Sequence, residues 1–172
     1  CEVKYNCPIQ NWPEEINITK KTIDVDLNLE TNFGPESIKN NIDSQPEFVW
    51  MTAESLGDND PALNYYSNLP AVFIFDKPLL NYLQLSTKRI IFLLDCLREL
   101  SNKRSTQVYL DDPIEYLKNK NFASTFAAVP KYKKITRVNI PTTEFPSVRL
   151  VKPINFYPSS YSSWKKRIEF NI

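Results

Sequence analysis

Three kinds of side chain in this sequence have the chemistry to hold or act on a small molecule: loop carboxylates, lysines interleaved with aromatic rings, and isolated thiols. The carboxylates gather at Glu54 and in Asp58-Asn59-Asp60-Pro61, with Asp76 ending an apolar run and Asp111-Asp112 preceding a proline. Neighbours on an extended chain point to opposite sides, so Asp111 and Asp112 do not make an acid–base pair. The loop at Asp60 also reads as a plain capped turn opening a helix. Bases and aromatics alternate in Lys131-Tyr132-Lys133-Lys134 and Trp164-Lys165-Lys166-Arg167. That pattern suits phosphates or the acidic face of a partner. Solvated bases beside a last helix, favoured by its dipole, are the plainer reading.

Composition excludes much else. There is no histidine, which removes Ser-His-Asp and Cys-His catalysis and histidine-ligated metals. The two glycines, Gly34 and Gly57, cannot build a Walker A loop or a G-x-G-x-x-G turn. Cys1, Cys7 and Cys96 lack zinc-ligand spacing, and a pairing of Cys1 with Cys7 leaves Cys96 over. Cys96 falls on the apolar side of a helical pattern, where a thiol is inert more often than catalytic. Neither a catalytic residue nor a metal site is expected.

The elements that position these residues follow from periodicity. The 172 residues are 42% hydrophobic and 24% charged, with a mean hydropathy of −0.40, the profile of a soluble globular domain. Nothing reads as a signal peptide or a spanning segment, so no membrane is implied and a cytoplasmic location is the default expectation. Residues 1–46 carry four bases against eight acids, and 131–172 carry nine bases against Glu144 and Glu169. In residues 1–46, Thr22 to Glu30 alternates apolar and polar strictly, predicting an added strand with an acidic wet face. One helical turn is expected over Glu36–Asn41 within a polar connection. From Glu47 the rhythm becomes strand, helix, strand. Strands are predicted at 48–51, 69–76, 107–110, 122–129 and 148–151, a helix over 87–100, and shorter helices at 61–66, 113–120 and 162–170. Strands separated by helices imply parallel pairing through right-handed crossovers. The expected fold is α/β, a Rossmann-like three-layer sandwich with a mostly parallel sheet over 47–172, plus the 1–46 extension.

Phe48-Val49-Trp50-Met51, Asp60-Pro61-Ala62-Leu63, Pro70-Ala71-Val72-Phe73-Ile74-Phe75-Asp76 and Leu79-Leu80 occur in this order. Ser86–Leu100, Asp111-Asp112-Pro113 and Tyr157 through Trp164-Lys165-Lys166-Arg167 follow them. The series resembles the N-terminal α/β domain of DNA photolyases and cryptochromes, above all a shorter photolyase-like group holding this domain only. Two arginines of that family's opening motif are replaced by Thr52 and Leu56. Family enzymes do their chemistry in a separate, larger helical domain that holds FAD. The residues around the matching motifs are too few for such a cavity, so FAD of the catalytic type is not expected.

The resemblance implies a stand-alone domain with a binding or accessory role, unable to split a pyrimidine dimer alone. Its site is expected in the crevice beyond the carboxyl ends of the strands, formed by Trp50, Met51, Thr52, Asp60, Phe75 and Asp76. An antenna such as a folate, deazaflavin or flavin is the ligand it suggests, with Trp50, Phe75, Tyr65 and Tyr66 as stacking faces. Trp50 and Phe75 read more plainly as core residues of central strands. One alternative is a DNA-repair subunit acting with a separate helical FAD-binding partner, met through Lys131, Lys133, Lys134, Lys165, Lys166 and Arg167. Another is an interaction module or homodimer using the face that full-length relatives bury. DNA is not an expected ligand of this chain by itself.

Overall fold

The computed structural model describes residues 33–57, 59–83, 85–152 and 159–168. The four residues of β2 (Phe48–Met51) are all buried, and alternation along the strand sends them two ways. Phe48 and Trp50 face one side of the sheet, Val49 and Met51 the other, and each side is covered. On the Trp50 side lie α4 (Pro113–Tyr116) and α5 (Pro130–Val138), contributing Ile114, Tyr116, Tyr132 and Ile135. On the Met51 side lie α1 (Pro61–Tyr65) and α3 (Thr87–Ser101), contributing Ala62, Leu63, Leu97 and Leu100.

The sheet is completed by β1 (Lys39–Asn40), β3 (Ala71–Asp76), β4 (Thr106–Asp111), β5 (Phe122–Thr125) and β6 (Thr143–Phe145). Its order is β1-β6-β5-β2-β3-β4. All pairings are parallel except β1 with β6, where Lys39 lies opposite Glu144 and Asn40 opposite Thr143. After β1 at one edge, the chain enters the centre with β2, moves outward to β3 and β4, then returns to β5 and β6 on the far side of β2. The order therefore reverses between β2 and β5. A mixed α/β fold with a mostly parallel six-stranded sheet is the result.

Local sequence explains the joints. Asp60 caps α1, its Oδ1 accepting the Leu63 N–H at 2.9 Å, and Pro61 occupies the first helical position, where a missing N–H costs nothing. Arg104 closes the other end of α1 by donating to the carbonyls of Leu63, Tyr66, Ser67 and Leu69 at 2.7–3.1 Å. Gly34, at φ +74°, lies against the Phe126 ring so closely that a Cβ would overlap it.

Several expectations are corrected. Residues 36–41 form no helical turn. They bring β1 to the sheet, with the Asn41 N–H and side chain bonded to the carbonyls of Thr142 and Pro141 at 2.9 and 3.0 Å. Residues 148–151 form no strand beyond a single bridge residue at Val151. The outer edge of β6 is already taken by β1, and Val148 and Leu150 are exposed. Besides β1 and a 3-10 turn at Ala53–Ser55, three elements were not anticipated: α2 (Lys77–Leu83), α5 and β6. In α5 a basic run conceals the two buried positions, Tyr132 and Ile135, one helical turn apart. The expected elements at 113–120, 122–129 and 162–170 shorten to α4, β5 and α6 (Tyr161–Lys165). The strand expected at 22–30 lies outside the described residues.

Candidate functional site

Five of the six expected site residues converge. Trp50 and Met51 end β2 with Thr52 just after it, Phe75 and Asp76 end β3, and together they line one cleft. Leu79 and Leu80 of α2 and Lys131, Tyr132 and Ile135 of α5 close it. The reason is topological: parallel neighbours end side by side, and α2 begins immediately after Asp76. Asp76 caps that helix, its Oδ1 accepting the Leu79 N–H at 2.9 Å. Its other oxygen lies 2.7 Å from Lys131 Nζ. The Asp76 side chain is 10% exposed and that of Lys131 30%, so of this ion pair the cation is the more accessible, while Glu54 places an exposed carboxylate on the same lining. The cleft is otherwise almost wholly apolar.

Asp60 belongs elsewhere. It borders a second hollow with Ser55, Asn59, Thr125 and Phe126, at the point where strand order reverses between β2 and β5. Burial raises its pKa, against the lowering effect of the Leu63 N–H. Thr125 ties this corner to β5 by accepting the Ala62 N–H at 3.2 Å. The single crevice expected from sequence is thus two, separated by the short 3-10 turn Ala53–Ser55.

The aromatic faces are largely spent on the core. Trp50, 4% exposed, stacks on Tyr132 with ring centroids 5.6 Å apart and planes within 4°. Phe122 meets it edge-on at 5.7 Å. Tyr65 and Tyr66 pack on each other and on Phe145, beside β6 rather than at the cleft. Phe75 makes an edge contact with Phe73 at 5.0 Å and leaves part of its surface to the cleft.

The basic segments separate as well. Lys131 is held by Asp76, and the Tyr132 ring that alternates with the lysines is buried. The Tyr132 hydroxyl lies 2.9 Å from Ser124 Oγ and donates to Glu144 Oε1 at 2.8 Å. Burial, with Glu144 beside it, holds that phenol well above its ordinary pKa. Lys133 is half-buried and Lys134 exposed on α5, while Lys165, Lys166 and Arg167 lie exposed at the end of α6. No ring on α5 is therefore open to stack a base between its lysines.

Sequence reasoning missed Leu79, Leu80 and Ile135 as cleft walls and Lys131 as the partner of Asp76. Leu79-Leu80 stood in the resemblance, but only the unanticipated α2 turns those side chains toward β2. Among the described residues no group of three His, Cys, Asp or Glu is placed to hold a metal ion. No helix there is long and apolar enough to cross a membrane.

The cleft measures about 150 Å³, the size of cavity that accepts a benzene-sized ring. The two fused rings of a folate pterin, or the three of a flavin or deazaflavin, exceed it. The enclosed part of the cleft therefore holds one ring, and the rest of a larger chromophore would lie outside it. The chain matches no protein-family model, no curated protein and no solved structure.

Proposed function

We propose that this chain is a non-catalytic, ligand-binding domain of the photolyase-like, Rossmann-like kind. Its cleft at the carboxyl ends of β2 and β3 takes a single aromatic ring with an anionic substituent. One observation carries the reading: five residues singled out from sequence as a binding set meet in one apolar cleft, rimmed by a partly exposed lysine. Small-molecule sites have this composition, an apolar lining with few convergent polar groups. The strand-order reversal and the helices on both sheet faces support the Rossmann-like description. The ring enters between Phe75, Met51 and Leu80, and the Lys131 ammonium meets the anion.

Met51 is the single methionine of the sequence and lines the cleft, so its methyl group is an unambiguous reporter. Titration of methyl-labelled protein with benzoate is expected to shift that resonance saturably, and Lys131→Gln is expected to weaken the effect. Flavin mononucleotide and tetrahydrofolate, tested in parallel, are expected to leave it in place. No shift with benzoate overturns the reading, and a saturable shift with the flavin or folate alone replaces it with the antenna role.

A further inference from the structure

The sheet ends on β4, which among the described residues has a neighbour on one side only. Such an edge is a template for another strand, and soluble proteins blunt it with lysine, proline or a bulge. Thr106-Gln107-Val108-Tyr109-Leu110 has no lysine or proline and pairs with β3 in unbroken register. Its apolar side chains are open: Val108 is 44% and Leu110 63% exposed.

The direction of the free backbone groups follows from the pairing with β3. The Ser105 carbonyl accepts the Ala71 N–H at 2.9 Å, so odd-numbered residues of β4 turn their N–H and C=O toward β3. Thr106, Val108 and Leu110 turn theirs outward. A second strand must place its own outward residues opposite these, which restricts the registers open to it.

We propose that the free edge of β4 pairs antiparallel with β4 of a second copy of this chain, related by a two-fold axis at Tyr109. In this register Val108 of each copy forms a hydrogen-bonded pair with Leu110 of the other. The four aliphatic side chains lie together on one face, where Phe73 and Phe75 of β3 sit opposite Val108 and Leu110 within each copy. On the other face, Tyr109 meets its own counterpart as a non-hydrogen-bonded pair, above the Tyr116 ring it already contacts at 4.5 Å. Asp111, the single charge of the strand, falls opposite Gln107 and not opposite another carboxylate. Every exposed aliphatic group of the strand gains an apolar partner and no like charges are opposed. The edge is self-complementary, as a two-fold interface requires.

Sedimentation equilibrium of the full chain tests this. A species of twice the 20.1 kDa chain mass is expected, dissociating on dilution. The double variant Val108→Lys with Leu110→Lys is expected to raise the dissociation constant about 100-fold or more. Its far-ultraviolet circular dichroism should be unchanged, because both side chains are exposed in the monomer. With Cys1, Cys7 and Cys96 replaced by serine, Tyr109→Cys is expected to give a disulfide-linked dimer on mild oxidation, and Val108→Cys is not. A native chain that stays monomeric at every concentration, as when its own residues 22–30 cover the edge, overturns the proposal. So does a double lysine variant that dimerises as the native chain does, or cross-linking at 108 in place of 109.

Discussion

β2 and β4 belong to the same sheet and look alike as sequence, each a short run of β-branched and aromatic residues. Their surroundings differ completely. β2 lies between β5 and β3 and is buried on both faces. Among the described residues β4 has one neighbour, and five of its six residues are exposed. A strand's apolar content therefore does not say whether it forms the core or the border. Position in the sheet decides, and position depends on where the crossovers carry the chain.

Trp50, at the centre of the sheet, carries the largest expected effect. Trp50→Ala removes a ring packed on Tyr132 and Phe122 and is expected to destabilise the fold by about 4 kcal/mol, read from urea unfolding. A loss below about 1 kcal/mol would show that the centre of the sheet tolerates a cavity as its edge does. A smaller effect separates the carboxylates near the two strands. Asp111 ends β4 in the open, whereas Asp60 follows β2 into a buried corner. Burial raises the Asp60 pKa above 3.8, so the folded chain holds that proton more tightly than the unfolded one. Its contribution to stability therefore falls as pH rises from 3.8 through the raised value. Asp60→Asn keeps the capping oxygen and is expected to abolish this component of the pH profile, remaining at least as stable as the native chain at pH 7. Asp60→Ala, which loses the cap, is expected to cost about 1 kcal/mol. An unaltered pH profile in the asparagine variant would count against a buried, titrating Asp60. The smallest effect belongs to β4: Val108→Thr, measured at concentrations where the chain is monomeric, is expected to change unfolding stability by less than about 0.5 kcal/mol. A larger loss would mean that β4 is covered, contrary to its exposure.

Legibility in the sequence followed the strength of the local pattern. β2 and β3 were readable as short continuous apolar runs of strand length, and α3 because its apolar positions recur at three- and four-residue spacing. α5 was not, because the period-bearing residues, Tyr132 and Ile135, sit among lysines. β6 was not, because Thr-Glu-Phe carries no pattern of its own and becomes a strand only by pairing with β5 and β1. Val148 and Leu150 misled in the opposite direction: they look like a strand, but β6 has no free edge left for them. In the cleft, Trp50, Met51, Thr52, Phe75 and Asp76 were legible because strand ends in a parallel sheet cluster. The separation of Asp60 was not, since it depends on the path of the turn at Ala53–Ser55.

Residue types set the chemistry open to this chain, and local spacing sets most of its alternation of strands and helices. Spacings of two, three and four positions are local quantities. Only the folded arrangement brings Lys131 to Asp76 across 54 intervening residues, gives the face of Trp50 to Tyr132, and leaves β4 at the border among the described residues. These contacts depend on strand order and on which face each crossover helix covers, and neither is encoded within any single window of the chain.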